Sequence, residues 1–235
     1  TTINRDVGSR ELDDKLEILT VKALSTLCEV CRKELSPSLV KLLDVLNSIM
    51  MPDSNVSNFT RERLMRSVGF IIESKVEEGP DQQAKYILQL VDMVENLIRQ
   101  GMLSSIQEPQ ERRGYLHCLL TCISELGTSL ICSEETENPA LLQRLSDYTE
   151  YWNTDPLQLR VRIMDLIKFI LSDPSLSDDP EYIEVSCLIL GKALDLSDDE
   201  PHFLKYSVSE IMQFILDQVA KTNISASLPY YVYLL

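Results

Sequence analysis

The run from Pro80 to Gln100 carries apolar side chains on two sides of one helix. Ala84, Ile87, Leu88, Val91, Val94 and Ile98 form one stripe at helical spacing, and Tyr86, Leu90, Met93 and Leu97 form a second. A helix that is apolar on two sides must be covered on two sides, which places it inside a layered stack of helices. What remains is a narrow polar strip, Lys85, Gln89, Asp92, Asn96 and Arg99, with Glu95 beside Asp92. That strip is the candidate partner-binding surface.

The rest of the chain extends the same stack. Thr1 to Ser9 shows no periodicity and reads as a lead-in. From Glu11 to about Lys33, Leu12, Leu16, Leu19, Ala23, Leu27 and Val30 recur every three or four residues and predict the buried face of one helix. Ser36 is placed to cap the next helix, with Pro37 at its first position, and Leu39, Leu42, Leu43, Leu46 and Ile49 form its inner face. Met51 to Ser57 reads as a loop. The third helix, Asn58 to Lys75, is expected to bury Leu64, Val68, Ile71 and Ile72, with Gly69 admitting a close neighbour. Glu78-Gly79-Pro80 turns into the two-striped helix, and Gly101 is placed to cap its end.

Proline then punctuates the chain. Pro109 opens a helix to about Ile131, and Asn138-Pro139 opens one through Tyr151. Asp155-Pro156 opens Leu157 to Leu171, Asp179-Pro180 opens Tyr182 to Leu194, and Glu200-Pro201 opens Phe203 to Lys221. Pro37 to Pro80, Pro109 to Pro156 and Pro156 to Pro201 are each about 43–47 residues apart. A two-helix period of roughly 40–47 residues is the mark of HEAT/armadillo-like repeats, which bury their faces only by stacking. The expected fold is an all-α solenoid of stacked antiparallel helix pairs, with approximate repeats 10–51, 58–101, 108–153, 155–195 and 200–235.

Composition narrows the partners. A formal charge of −15 disfavours a nucleic-acid surface, whose affinity comes from Lys and Arg, and favours basic protein partners. No apolar run approaches the length of a membrane span, and no secretory signal is evident. The sequons at Asn55, Asn58 and Asn223 therefore read as chance matches, and the cysteines as reduced thiols. The apolar close, LeuProTyrTyrValTyrLeuLeu, and the initial Thr suggest a fragment of something longer. Cys28-x-x-Cys31 lies inside a helical run, far along the chain from His117, Cys118 and Cys122, so it reads as core rather than as a metal or redox site. Cys132 and Cys187 stand alone, and neither His117 nor His202 sits in a nucleophilic pattern. With no phosphate loop, GxSxG or HExxH, the chain is expected to be no enzyme and to need no cofactor or metal. Asp173, Asp178, Asp179 and Glu181, then Asp195, Asp198, Asp199 and Glu200, form acidic connections, read as capped loops or as ridges for a basic partner. Trp152, Tyr148 and Tyr151 are expected to seal a repeat junction.

Ala23-Leu24-x-x-Leu27-Cys28-x-x-Cys31-Arg32, followed by Leu64-x-x-Ser67-Val68-Gly69-x-Ile71-Ile72, resembles the middle of importin-β-type karyopherins over about residues 20–100. The resemblance is to the branch containing transportin-SR and importin-thirteen, with their fungal relatives. It implies a nuclear transport receptor, cytoplasmic and nuclear, that wraps protein cargo and acts with the small GTPase Ran. It carries over no cargo-contacting or Ran-contacting residue. The alternative is a HEAT-repeat scaffold that assembles a complex without a transport role. Under the transport reading Asp92 and Glu95 face basic cargo, and reversing both charges is expected to weaken binding while leaving the melting temperature nearly unchanged.

Overall fold

The structure, a computed structural model, describes residues 3–103, 109–130, 139–197, 200–220 and 231–232. Among these residues there is no strand, and the chain is an all-helical, HEAT-like solenoid. The helices are α1 (Ile3–Val30), α2 (Arg32–Leu35), α3 (Leu39–Ile49), α4 (Asn58–Glu73), α5 (Pro80–Leu103), α6 (Pro109–Ser129), α7 (Pro139–Thr154), α8 (Leu159–Ile170), α9 (Pro180–Leu190) and α10 (Val208–Val219).

Two rows organise them. In the first, α1 packs on α4, α4 on α6 and α6 on α9. These helices run parallel, as contacts at both ends of each pair show. Glu17 of α1 meets the start of α4, accepting from Ser57 N and Oγ and from Thr60 Oγ1, while Arg32 pairs with Glu73 at its end. Asn58 donates to Gly114 O near the starts of α4 and α6, and Arg66 pairs with Glu125 further along. Arg113 pairs with Asp179 and Tyr182 Oη donates to Arg113 O at the starts of α6 and α9, and Gly127 near the end of α6 lies against the Lys192 side chain just after α9. The second row runs the other way. α3 ends at Met50, whose carbonyl accepts from Tyr115 near the start of α6, and α5 begins beside Ile72 and ends with Gly101 against Leu116. α5 also packs on α7 and α8. Parallel repetition within a row is what stacked repeats produce.

The core is continuous from Cys28 to Tyr231 and runs through α5, whose Ala84, Ile87, Leu90, Val91, Val94, Leu97 and Ile98 are all buried. Gly69 behaves as expected: α4 and α6 are so close there that an added Cβ would overlap Ser129 Oγ. Gly79, at φ +85, makes the turn into α5. Trp152 is buried against Phe203, with ring centroids 6.2 Å apart.

Several expectations do not hold. α1 starts at Ile3, so the lead-in is helical. Its predicted stripe faces outward: Leu16, Leu19, Leu27 and Val30 are 62%, 65%, 48% and 75% exposed, and Ala23 is exposed too. The face against α4 is Val21, Ser25 and Cys28. Periodicity found a real apolar stripe, but α1 carries two such faces and only the other meets a neighbour. Ser36 caps nothing with its side chain, because Ser36–Ser38 is a 3-10 turn ahead of α3. Gly101 lies inside α5. Leu64 is only half-buried in α4.

Pro156 and Pro201 open no helix. Asp155 and Gln158, at φ +43 and +54, bend the chain before α8, and the Asp155 carboxylate accepts from Leu159 N at 2.9 Å and Arg160 N at 3.0 Å. After Pro201, His202, Phe203, Leu204 and Tyr206 are buried in a non-helical segment that turns at Phe203 and Leu204, and α10 starts only at a capping box of Ser207 and Glu210. The segment is held because burial of those side chains wins over helix propensity. Cys132, Asp198, Asp199, Asn223 and most of the apolar close lie outside the described residues.

Candidate protein-binding surface

The polar strip of α5 lies along its contact with α8. Arg162 Nη2 of α8 reaches Asp92 Oδ1 at 2.5 Å and Glu95 Oε2 at 2.6 Å, and Arg99 completes the group by pairing with Glu95 at 2.8 Å. Burial raises the Glu95 pKa, but hydrogen bonds from Arg162 and Arg99 outweigh it and hold the carboxyl below its ordinary value. Arg99 also lies over the Phe169 ring of α8, 4.9 Å from its centroid. These contacts pair residues 67 to 70 positions apart in the chain and fix the register of α8 on α5.

The six strip residues therefore divide. Lys85, Gln89 and Asn96 are exposed, with Lys85 paired to Asp81 one turn before it at 2.5 Å. Asp92, Glu95 and Arg99 are shared with α8. Asp92 stays 46% exposed at its side chain, so the strip still presents an acidic group to solvent beside Gln89 and Asn96. An arrangement of this kind offers hydrogen bonds and weak charge pairing to a protein partner and has no chemistry of its own. Arg162 and Phe169 were not foreseen, because no local spacing links α8 to a strip 70 positions earlier in the chain.

The acidic connections are largely spent on capping. Asp173 Oδ1 accepts from Ser175 N at 2.8 Å, Asp179 caps α9 through Glu181 N at 3.1 Å, and Glu200 Oε2 accepts from Ser197 N at 2.6 Å. Asp178, Glu181 and Asp195 remain exposed. Cys28 is buried against α4 and Cys31 half-buried, and Cys118, Cys122 and Cys187 are buried. His202 is enclosed, with Nε2–H donating to Gly127 O at 2.9 Å and Nδ1 accepting from Leu204 N at 3.1 Å. His117 stacks edge-on to Tyr182. Among the described residues no three His, Cys, Asp or Glu side chains converge as metal ligands would, and no helix is long and apolar enough to cross a membrane.

A buried arginine also escaped notice in the sequence. Arg61 is 5% exposed and secures the α3–α4 loop, donating to the carbonyls of Ile49, Met51 and Ser54 at 3.0–3.2 Å, with its guanidinium 5.4 Å from the Tyr115 ring centroid. Ser54 Oγ donating to Ile49 O at 2.7 Å and Tyr115 Oη donating to Met50 O at 2.6 Å hold the same loop beside it.

Compared with known families, residues 1–130 match the family model described as the importin beta-like KAP122 middle domain. A search of curated proteins found no match to this chain.

Proposed function

We propose, since the chain belongs to the importin beta-like KAP122 family, that it is a segment of a nuclear transport receptor which binds protein cargo through its helical-repeat surface and acts with the small GTPase Ran. The match over residues 1–130 carries this reading. The finer placing, in the branch of transportin-SR and importin-thirteen, rests on the Ala23 to Arg32 and Leu64 to Ile72 patterns and is part of the proposal. So are shuttling between cytoplasm and nucleus and the five repeat boundaries set out above.

Within the segment, the exposed Lys85, Gln89 and Asn96, together with Asp92, form the cargo surface, and Glu95 and Arg99 support it from the α8 side. The acidic balance of −15 suits a basic cargo, whose on-rate an acidic field raises and salt lowers. The full-length receptor, immobilised, is tested for capture of a Lys/Arg-rich nuclear-import peptide at low and high salt, then challenged with Ran-GTP. Salt-sensitive capture that Ran-GTP releases is the expected result. Capture indifferent to Ran-GTP would leave a protein-binding scaffold and overturn the transport reading.

A further inference from the structure

One side of α4 carries a ladder of rings and cations, half-buried from Phe59 to Arg66 and buried at Phe70. Phe59, Arg63, Arg66 and Phe70 follow at i, i+4, i+7 and i+11, one side of a helix, while Met65, Val68 and Ile72 on the other side are buried. The Arg63 guanidinium lies over the Phe59 ring, 5.4 Å from its centroid, and the Lys22 ammonium of α1 lies over the same ring at 5.6 Å. Arg66 lies over Phe70 at 5.5 Å and pairs with Glu125 of α6 at 3.3 Å. The ladder thus spans three parallel helices of one row, on the opposite side of α4 from the second row that holds α5.

Charge makes this face unusual. The chain carries −15, yet Lys22 and Arg63 form no ion pair among the described residues, although acidic side chains are plentiful. Each is steadied against an aromatic face, which costs less rotamer freedom on binding than a free-swinging cation would lose. Lys22 is exposed and Arg63 half-buried, so each can still donate to a carboxylate of a partner.

We infer that the open part of this ledge, Lys22, Phe59, Arg63 and Arg66, with Phe70 buried beneath Arg66, is a docking surface for an acidic protein segment, whose Asp or Glu side chains pair with Lys22 and Arg63. It goes beyond the cargo strip of α5: it lies on the other row, takes the opposite charge and does not depend on the transport reading. Charge complementarity names the occupant. A nucleic acid fits less well, because the acidity of the rest of the molecule repels a long polyanion, whereas a short acidic segment meets only the ledge.

The test uses a fluorescein-labelled Glu/Asp-rich peptide of mixed sequence and the purified chain, read by fluorescence anisotropy at low and moderate salt. Saturable binding that weakens several-fold with salt is expected. Lys22→Glu with Arg63→Glu should weaken it at least about tenfold, two charge pairs being lost and two repulsions gained. Phe59→Ala should weaken it less, and Lys41→Glu, exposed on α3 away from the ledge, should leave it unchanged. If the reversed pair does not fold, as judged by circular dichroism, Lys22→Gln with Arg63→Gln is read instead. Failure of the peptide to bind, equal binding by the ledge variant, or tighter binding by a single-stranded oligonucleotide of the same charge would each overturn the inference.

Discussion

A methyl group added at Gly69 would overlap Ser129 Oγ and lie 2.8 Å from Ser129 Cβ and 3.2 Å from Leu126 Cδ1. None of these is the far end of a long flexible chain, so α4 and α6 would have to separate. Gly69→Ala is expected to cost about 1–3 kcal/mol in urea unfolding, against the gain in helix propensity. Gly114→Ala is the control. Its Cβ would meet only Asn58 Nδ2 at 3.8 Å, so propensity alone should act and stabilise by up to about 1 kcal/mol. His202 acts through pH. Burial pushes its pKa down to about 4 from an ordinary 6.5, only partly opposed by the hydrogen bond to Gly127 O. The unfolded chain therefore takes up a proton that the folded chain refuses, and stability falls as pH drops from 6.5 towards 4. Between pH 7.5 and 5 the loss from this one residue should be about 2 kcal/mol, as 1.5 pH units below the ordinary value imply. His202→Gln should be less stable at neutral pH and lack that loss, which urea titrations at the two pH values would read.

Helix by helix, legibility depended on whether the neighbour was encoded locally. The two stripes of α5 were legible because both pack into the core, with Tyr86, Leu88 and Met93 half-buried at its edge, and both repeat at 3.6 residues. Gly69 was legible because a glycine inside an apolar helix has few other uses. The stripe of α1 was misread, since periodicity reports an apolar face but not what covers it. Pro156 and Pro201 were misread because proline tolerates a helix start without requiring one, while the Ser207 to Glu210 pattern that does start α10 was passed over. The outcome for α5 and α8 could not have been read at all, because Arg162 finds Asp92 and Glu95 only once the repeats stack. That contact changes an expectation. Reversing Asp92 and Glu95 sets two cations against Arg162 and Arg99, so the double variant should lower stability as well as any cargo affinity. Arg162→Ala should cost about 1 kcal/mol or less, because the pair is partly solvated, and the cost should shrink in high salt. Val91→Ala or Ile87→Ala should cost about 2–4 kcal/mol regardless of salt, since each empties a dry site in the core. Thermal melts at two salt concentrations separate the two classes.

Across the whole molecule, stacking makes stability a matter of how many neighbours each helix has. α4 lies between α1 and α6, and α6 lies between α4 and α9, with α5 behind both. Among the described residues α1 has a row neighbour on one side alone, and Leu16, Leu19, Leu27 and Val30 are exposed on the other. In a linear array each helix is held by its own stability and by nearest-neighbour interfaces, so opening should begin where an interface is missing. Native-state hydrogen exchange should then grade by position: slowest in α4, α5 and α6, and faster through the N-terminal half of α1. Uniform protection from α1 to α6 would mean that the array opens as one unit instead. The open stripe makes a further distinction. Leu19→Glu with Leu27→Glu alters two exposed positions, so the melting temperature should change little, while any self-association through that stripe, followed by sedimentation against concentration, should fall. The same change at Val21 or Cys28, on the other side of α1, buries a carboxylate against α4 and should strip protection from α1 and α4 together. One helix, substituted on its two apolar faces, would thus show which of them the array depends on.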